Sequence, residues 1–239
     1  MSGEDSGAGS SEPGRKTIIA IDGPAGAGKS TIARRLARRF GLLNLETGAM
    51  YRAFALKALR AGLPLDNSAA LEQLATETSI RLESGDEENR VLLDEEDVSG
   101  QLRNQMVTDA ASRVSVYPSI RAWMVRLQQQ LAAEGGVVME GRDIGTVVFP
   151  QADVKIFLDA APEVRGQRRF DQLGQGGKTP KVQPEEVIRD LRARDERDRN
   201  RADSPLRPAT DAVLLDSTNM TLDEAVAAAT AIVETKLAR

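Results

Sequence analysis

Neither histidine nor cysteine occurs in this chain of 239 residues. Without cysteine there is no disulfide, no thiolate nucleophile and no zinc-thiolate centre, which fits a reducing compartment and a cytoplasmic protein. Without histidine, an imidazole general base, a phosphohistidine and a histidine-ligated metal are excluded. Aromatic residues are only 3% of the chain against 41% apolar residues overall, so the core must be built from Leu, Ile, Val and Ala. That mixture suits helices packed on a parallel sheet. An excess of positive charge is also lacking. The formal net charge of -4 argues against nonspecific binding to nucleic-acid polymers or anionic membranes, so any anion binding has to be local. No uninterrupted apolar run approaches the roughly 20 residues that span a bilayer.

A chain of this length builds one α/β core with room for a smaller appended domain. Met1 to Gly14 are small, polar and acidic with no apolar stretch, and 1–15 reads as a disordered tail. Thr17 to Ile21 is a short apolar run before a glycine-rich turn, as in a buried strand. Ile32, Leu36 and Phe40 then recur at helical spacing, with Arg34, Arg35, Arg38 and Arg39 turned outward and Gly41 as the stop. Leu42 to Leu45 reads as a second strand and Ala49 to Ala61 as a second helix, closed by Gly62 and Pro64.

The rhythm then changes. A helix near Ala69 to Thr76 precedes alternating segments at Ile80 to Leu82 and Val91 to Leu93, which flank SGDEEN as a β-hairpin would. Helices are expected at Gln101 to Val116 and Ser119 to Glu134. Residues 63–134 are assigned to an inserted substrate domain, with 16–62 and 135–239 as the core. Val137 to Met139, Val154 to Leu158 and Val213 to Leu215 complete five buried strands alternating with helices, hence a doubly wound parallel sheet. Residues 162–208 are rich in arginine and contain the run GQGGKTPK, as expected of a mobile lid.

Between the first strand and the first helix stand Gly23, Pro24, Ala25, Gly26, Ala27, Gly28, Lys29 and Ser30, which match GxxxxGK[ST]. In that context the motif is a P-loop. Its glycines let backbone N–H groups point into one concavity, the helix N-terminus adds positive potential, and the lysine reaches the β and γ phosphates. Ser30 is the expected Mg²⁺ ligand, and Thr31 can also reach the phosphates. Phosphoryl transfer is one of the few reactions that runs well without histidine, because it needs mainly positioning and charge stabilisation. The motif alone does not choose among GTPases, ATPases and kinases. No Asn-Lys pair of a guanine-reading NKxD segment is present.

A kinase of a small acceptor needs a second anion site. Arg52 and Arg142 follow predicted strands at the carboxyl edge, where open α/β sheets bind ligands. Glu140 lies beside them, and the residues alone leave it either supporting Mg²⁺ through water or pairing with an arginine. The run RARDERDRNR, 192–201, is either a solvated helix with internal charge pairs or a ligand-facing surface formed by Arg194, Asp198 and Arg201 at i, i+4, i+7.

GPAGAGKS, ETGAMYR, EDVSG, EGRDIGTVVFP, VKIFLDA, RDERDRNR and LDST occur in this order from Lys16 onward, and together they resemble the bacterial cytidylate kinases. The resemblance implies the nucleoside monophosphate kinase fold: a P-loop five-stranded parallel core, an inserted monophosphate-binding domain, and a lid that closes on ATP. It implies transfer of the γ-phosphoryl of ATP to CMP or dCMP with Mg²⁺, in a monomeric cytoplasmic enzyme that binds small nucleotides only. Arg52 and Arg142 are implied to hold the acceptor phosphate, and Ser112, Arg121 and Asp143 to read the cytosine. Arg194, Asp198 and Arg201 are implied as sugar and phosphate contacts from the lid side. Lys29, Arg142 and Arg194 are the expected catalytic cations, and one of Arg165, Arg168 and Arg169 is expected to clamp the transferring group. Many relatives carry Asp-Ser-Gly where this chain has Glu46-Thr47-Gly48; Thr47 keeps the hydroxyl, so its substrate contact is expected to survive, and Glu46 is one methylene longer.

Overall fold

The computed structural model describes residues 16–83, 89–174 and 183–238. The tail at 1–15, most of the SGDEEN turn and most of the GQGGKTPK run lie outside the described residues. The elements follow in the order β1 (Ile18–Asp22), α1 (Lys29–Phe40), β2 (Leu43–Glu46), α2 (Thr47–Arg60), α3 (Ser68–Thr76), β3 (Ile80–Glu83), β4 (Arg90–Leu93) and β5 (Glu96–Asp97). Then come α4 (Gln105–Val114), α5 (Pro118–Leu131), β6 (Val137–Gly141), β7 (Val154–Asp159), α6 (Pro162–Gly174), α7 (Pro184–Asn200), β8 (Val213–Asp216) and α8 (Leu222–Leu237).

The five expected strands form one parallel sheet in the order β2-β6-β1-β7-β8, but only β1, β6 and β7 are buried as expected; the edge strands β2 and β8 each have one buried residue and leave Leu43 and Leu214 exposed. β1, at the centre, is buried along its whole length, as a strand covered on both faces must be. Alternate side chains serve opposite layers. Ile19 and Ile21 join Ile32 and Leu36 of α1 and Ala229 and Val233 of α8. Ile18 and Ala20 face the other side, with Val137, Met139, Ile144 and Val148. The sheet is thus doubly wound. The order places the ends of β1 and β6 side by side, pairing Ile21 with Glu140 and Asp22 with Gly141, and this edge carries the P-loop and the Glu140 to Asp143 segment.

A second apolar cluster joins Met50, Ala53 and Phe54 of α2 to Leu71, Ile80, Val91, Leu93, Ile120 and Met124. The Phe54 and Trp123 rings meet within it at 5.1 Å between centroids. Here β3 and β4 pair antiparallel as the hairpin expectation requires, and β5 adds a third antiparallel strand that was not expected. The third strand is two acidic residues, too short to show alternation. The following helix begins at Gln105 instead of Gln101, because Ser99–Gln101 forms a separate 3-10 turn and the Asn104 side chain caps α4 by accepting the Met106 N–H at 2.8 Å. Among the described residues, no helix is long and apolar enough to cross a membrane.

Candidate active site

β1 ends at Asp22 and the chain turns at Gly23, where φ is 148° and a Cβ would stand 1.9 Å from the Leu158 carbonyl oxygen. Only glycine fits this close approach. Gly28 caps α1, whose first turn contains no acidic side chain, so the helix N-terminus keeps its positive potential for an anion. Lys29 folds back over the loop and donates to the Pro24 carbonyl at 2.8 Å. Its ammonium is buried. Burial, reinforced by the nearby Arg142, lowers its pKa to about 7, while Glu140 and Asp22 act in the opposite direction.

Ser30 Oγ donates to Glu140 Oε1 at 2.5 Å, and Thr31 follows in the same turn of α1. Of the two readings left open for Glu140, its direct partner is therefore the P-loop serine. Burial, followed by the neighbouring Glu46, pushes the Glu140 carboxyl up, against the pull of Lys29, Ser30 and Arg142. A hydroxyl and a carboxylate in contact beside a phosphate cradle form a hard oxygen pair of the kind Mg²⁺ takes, and Mg²⁺ draws its other ligands from phosphates and water.

The acceptor-side residues come from five separate segments. Thr47, at the start of α2, is buried and donates Oγ1 to the Glu140 carbonyl at 2.8 Å, so its hydroxyl ties α2 to β6. Arg52, further along α2, pairs with Glu46. Arg121 on α5 is almost fully buried. It pairs with Asp143, donates to the Ser115 carbonyl at 3.2 Å and lies over the Tyr51 ring at 5.9 Å. Arg142 Nε donates to Asp198 at 2.9 Å. Burial alone would raise the Asp198 carboxyl, but Arg142, Arg194 and Arg201 together hold it below its ordinary value. Ser112 on α4 is buried, and its Oγ accepts Arg197 Nε from α7 at 3.1 Å.

One boundary is shorter than expected. Arg194 and Asp198 lie on α7, which stops at Asn200, and Arg201 is its C-cap; its φ of −63° and the bond from its N–H to the Arg197 carbonyl keep it in the helical position, and ψ 140° turns the chain only after it. Arg194 and Arg201 both act on the Asp198 carboxylate between them. Arg201 also donates to the Ser204 carbonyl at 2.6 Å, and its guanidinium reaches Asp198 and Asp143, each at 3.8 Å. The three lid arginines separate. Arg165 is bound to Asp195 and to the carbonyls of Ala25 and Ala160. Arg168 is bound to Ser217 and the Met220 carbonyl. Arg169 makes one long contact, to Gln172 at 3.4 Å, and its pKa is lowered by burial and then by Arg52 and Arg103.

These cations crowd one another. Arg194 has no hydrogen-bond partner among the described residues, and burial together with Arg142 lowers its pKa to about 10. Arg201 is lowered by burial and by Arg121. Three buried arginine donor atoms, Arg52 Nε, Arg121 Nε and Arg201 Nη2, have no hydrogen-bond partner among the described residues. Buried donors left unpaired are costly, so the arrangement is suited to an anionic ligand that supplies acceptors. Sequence reasoning missed Arg197, which is indistinguishable from its neighbours in a dense charge run. It also missed Asp22, whose carboxylate accepts the Ile144 and Gly145 N–H groups at 2.8 and 2.7 Å and so fixes the turn that carries Arg142 and Asp143. Burial raises Asp22 to about 6 against those two bonds.

The sequence model of the family described as "Cytidylate kinase" matches residues 19–235. The chain is 49% identical over 208 residues to the cytidylate kinase of Desulfitobacterium hafniense, covering 87% of this chain and 88% of that one. It is 48% identical over 210 residues to that of Syntrophotalea carbinolica, covering 88% of each chain. It is 44% identical over 222 residues to that of Pasteurella multocida, covering 93% and 97%. With its P-loop at the edge of a five-stranded parallel sheet and relatives that match along nearly its whole described length, the chain belongs to the cytidylate kinase family.

Proposed function

We propose that this protein transfers the γ-phosphoryl group of ATP to CMP or dCMP, releasing ADP and CDP or dCDP. An oxygen of the acceptor phosphate bonds to the γ-phosphorus while the bond from that phosphorus to the β–γ bridging oxygen breaks, and the electron pair leaves with ADP. The observation that carries the reading is the cluster of cations, the buried Lys29 with the half-buried Arg142 and Arg194, between the P-loop and the Arg121–Asp143 pair. A loose transition state spreads negative charge over the transferring group, and fixed cations stabilise it.

Residues 23–31 hold the nucleotide phosphates, with Lys29 on the β and γ groups. Ser30, supported by Glu140, would hold Mg²⁺, which supplies charge neutralisation across those phosphates. Arg52 and Arg142 hold the acceptor phosphate, Arg194, Asp198 and Arg201 the sugar and phosphate from the α7 side, and Thr47 fixes the start of α2. Ser112, Arg121 and Asp143 face the base. Among the lid arginines, Arg169 is the clamp, because Arg165 and Arg168 already spend their donors on carbonyl and hydroxyl oxygens. In this reading 63–134 serves as the monophosphate-binding domain and 162–208 as the lid of a monomeric cytoplasmic enzyme.

Asp143 accepts the cytosine N4 amine, whereas uracil presents an oxygen there. Two opposed acceptors cost roughly 1 to 3 kcal/mol, or roughly 5- to 150-fold. The test is ADP release with CMP, dCMP, UMP, AMP and GMP, for the wild type and Asp143→Asn. CMP or dCMP should be preferred, and the CMP-to-UMP ratio of kcat/KM should narrow in the variant because an amide can donate to uracil. The ratio is taken within one protein, so lost stability from breaking the buried Arg121 pair cancels. Preference for a purine monophosphate, or for none of the panel, overturns the proposal.

A further inference from the structure

Arg165 and Asp195 are nearly fully buried, and their hydrogen bonds go to each other and to backbone, although the Asp195 charge also acts on Arg142 and Arg194. Arg165 and Asp195 meet at 2.5 Å, and between them they take both polar groups of one P-loop peptide residue. The Ala25 N–H donates to Asp195 Oδ1 at 3.2 Å, and Arg165 Nη1 donates to the Ala25 carbonyl at 2.9 Å. Arg165 Nε holds the Ala160 carbonyl, at the end of β7, at 2.8 Å. The contact continues at the next residue: a Cβ on Gly26 would stand 3.0 Å from the Arg165 carbonyl oxygen. Val187 and Leu191 of α7 close an apolar patch over Ala25.

We propose that the Arg165–Asp195 pair is a positioning device for the donor loop, joining α6 and α7 to Ala25 so that the loop's phosphate-binding shape depends on where those two helices sit. This rests on the assignment of the P-loop as the ATP site. The pair does not touch the transferring group. A backbone loop that binds phosphate through its N–H groups has to hold their directions before the ligand arrives. A buried ion pair with a donor and an acceptor clamped on the same residue fixes the rotation of the peptide planes on both sides of Ala25, which a single hydrogen bond does not.

Three measurements test it. In the nucleotide-free wild type, the Ala25 amide should be strongly protected from hydrogen exchange; exchange near the rate of an unstructured peptide overturns the proposal. Asp195→Asn keeps the shape and removes the charge, but it leaves Arg165 buried without a counter-charge and risks unfolding. The double variant Arg165→Met with Asp195→Leu removes both charges together, which a fold usually tolerates. In a folded variant, ATP affinity by direct titration should weaken roughly tenfold, equivalent to about 1.4 kcal/mol, with KM for CMP within about twofold of the wild type. Wild-type ATP affinity in the folded double variant overturns the proposal. So does a loss confined to kcat, which would make Arg165 a clamp on the reacting group. Because ATP binding is read directly, failure here is distinguishable from a wrong acceptor, which would show only in the monophosphate panel.

Discussion

The donor loop and the acceptor side bind the same kind of group, yet they are built in opposite ways. Residues 23–31 are contiguous, and their anion site is made of backbone, one helix N-terminus and one lysine. The acceptor side gathers α2, α4, α5, the end of β6 and α7, and its geometry is held by arginine–carboxylate pairs and, at α4, by the bond from Arg197 to the Ser112 hydroxyl. Local construction makes the donor site readable and chemically generic; assembly from distant segments allows the acceptor site to be specific for one base, because each contact can be set by a different element. The difference also predicts where damage falls. Loss of one donor-side group should reduce turnover on every acceptor, and loss of one acceptor-side group should change the choice among acceptors.

The largest effect is expected at Lys29. Lys29→Ala removes the cation aimed at the transferring phosphates and should lower kcat by roughly 10² to 10³, as loss of one electrostatic donor does. The loss should be equal for CMP and UMP, because nothing on the donor side reads the base. The check is steady-state ADP release with both acceptors, together with a thermal melt to confirm folding. Near-normal turnover in a folded variant, or a loss that differs between the two acceptors, breaks the comparison at its donor end.

A smaller effect follows from the buried ammonium. The Lys29 pKa is lowered from 10.5 to about 7 in the empty loop, and bound phosphates restore its charge. Below pH 7 the lysine is already protonated and binding takes up no proton; above it, each ATP bound requires one. ATP affinity should therefore weaken as the pH rises, by about fivefold from pH 7 to pH 8. The unliganded fold responds with the opposite sign. From about pH 7 up to the ordinary lysine value the unfolded chain binds more protons than the native one, so the empty protein gains stability as the pH rises. Titration calorimetry in two buffers of different ionisation enthalpy at pH 8 should detect proton uptake on ATP binding. Lys29→Arg, charged throughout, should abolish that component, and uptake that persists in this variant refutes the assignment.

The five strands of the parallel sheet were legible because each is a short, mostly apolar run ended by turn or polar residues, though the same signal did not tell the buried centre from the partly exposed edges β2 and β8. β5 was not, because two acidic residues have no pattern of their own and pair only where β4 already offers an edge. The P-loop was legible because its chemistry is contiguous. On the acceptor side, Arg52 and Arg142 could be found from their places after strands. Ser112, Arg121 and Asp143 entered only through resemblance, since no spacing in one chain says that α4, α5 and the end of β6 meet. The Arg194, Asp198, Arg201 spacing was legible because it is local: Arg201 lies one residue past the last turn of α7, yet its helical φ of −63° still sends its side chain to Asp198.

The smallest effect separates two arginines that look alike in the sequence, and it comes from the geometry of α7. At about 100° per residue, Arg197 lies about 60° from Arg194 on one side and Asp195 about 100° on the other, while Arg192 is about 160° away. One helix can thus meet the P-loop through Asp195, the end of β6 through Asp198 and α4 through Arg197, leaving Arg192 to an exposed pair with Glu163 of α6. Exposed pairs of that kind contribute little. The Arg197 bond differs because of its partner: it occupies an acceptor lone pair of the Ser112 hydroxyl and so leaves the hydroxyl proton to point elsewhere. Cytosine presents acceptors at N3 and O2, whereas uracil replaces the N3 acceptor with an N–H donor, so an oriented hydroxyl donor favours cytosine. Arg197→Ala frees the hydroxyl to rotate. It should raise KM for CMP roughly threefold, the effect of about one ordinary hydrogen bond's net contribution at its lower end, leave KM for ATP unchanged and narrow the CMP-to-UMP ratio. Arg192→Ala should change none of the three. Equal effects of the two variants on the CMP-to-UMP ratio would mean that α7 meets α4 through bulk charge and that the Ser112 bond plays no part in choosing the base.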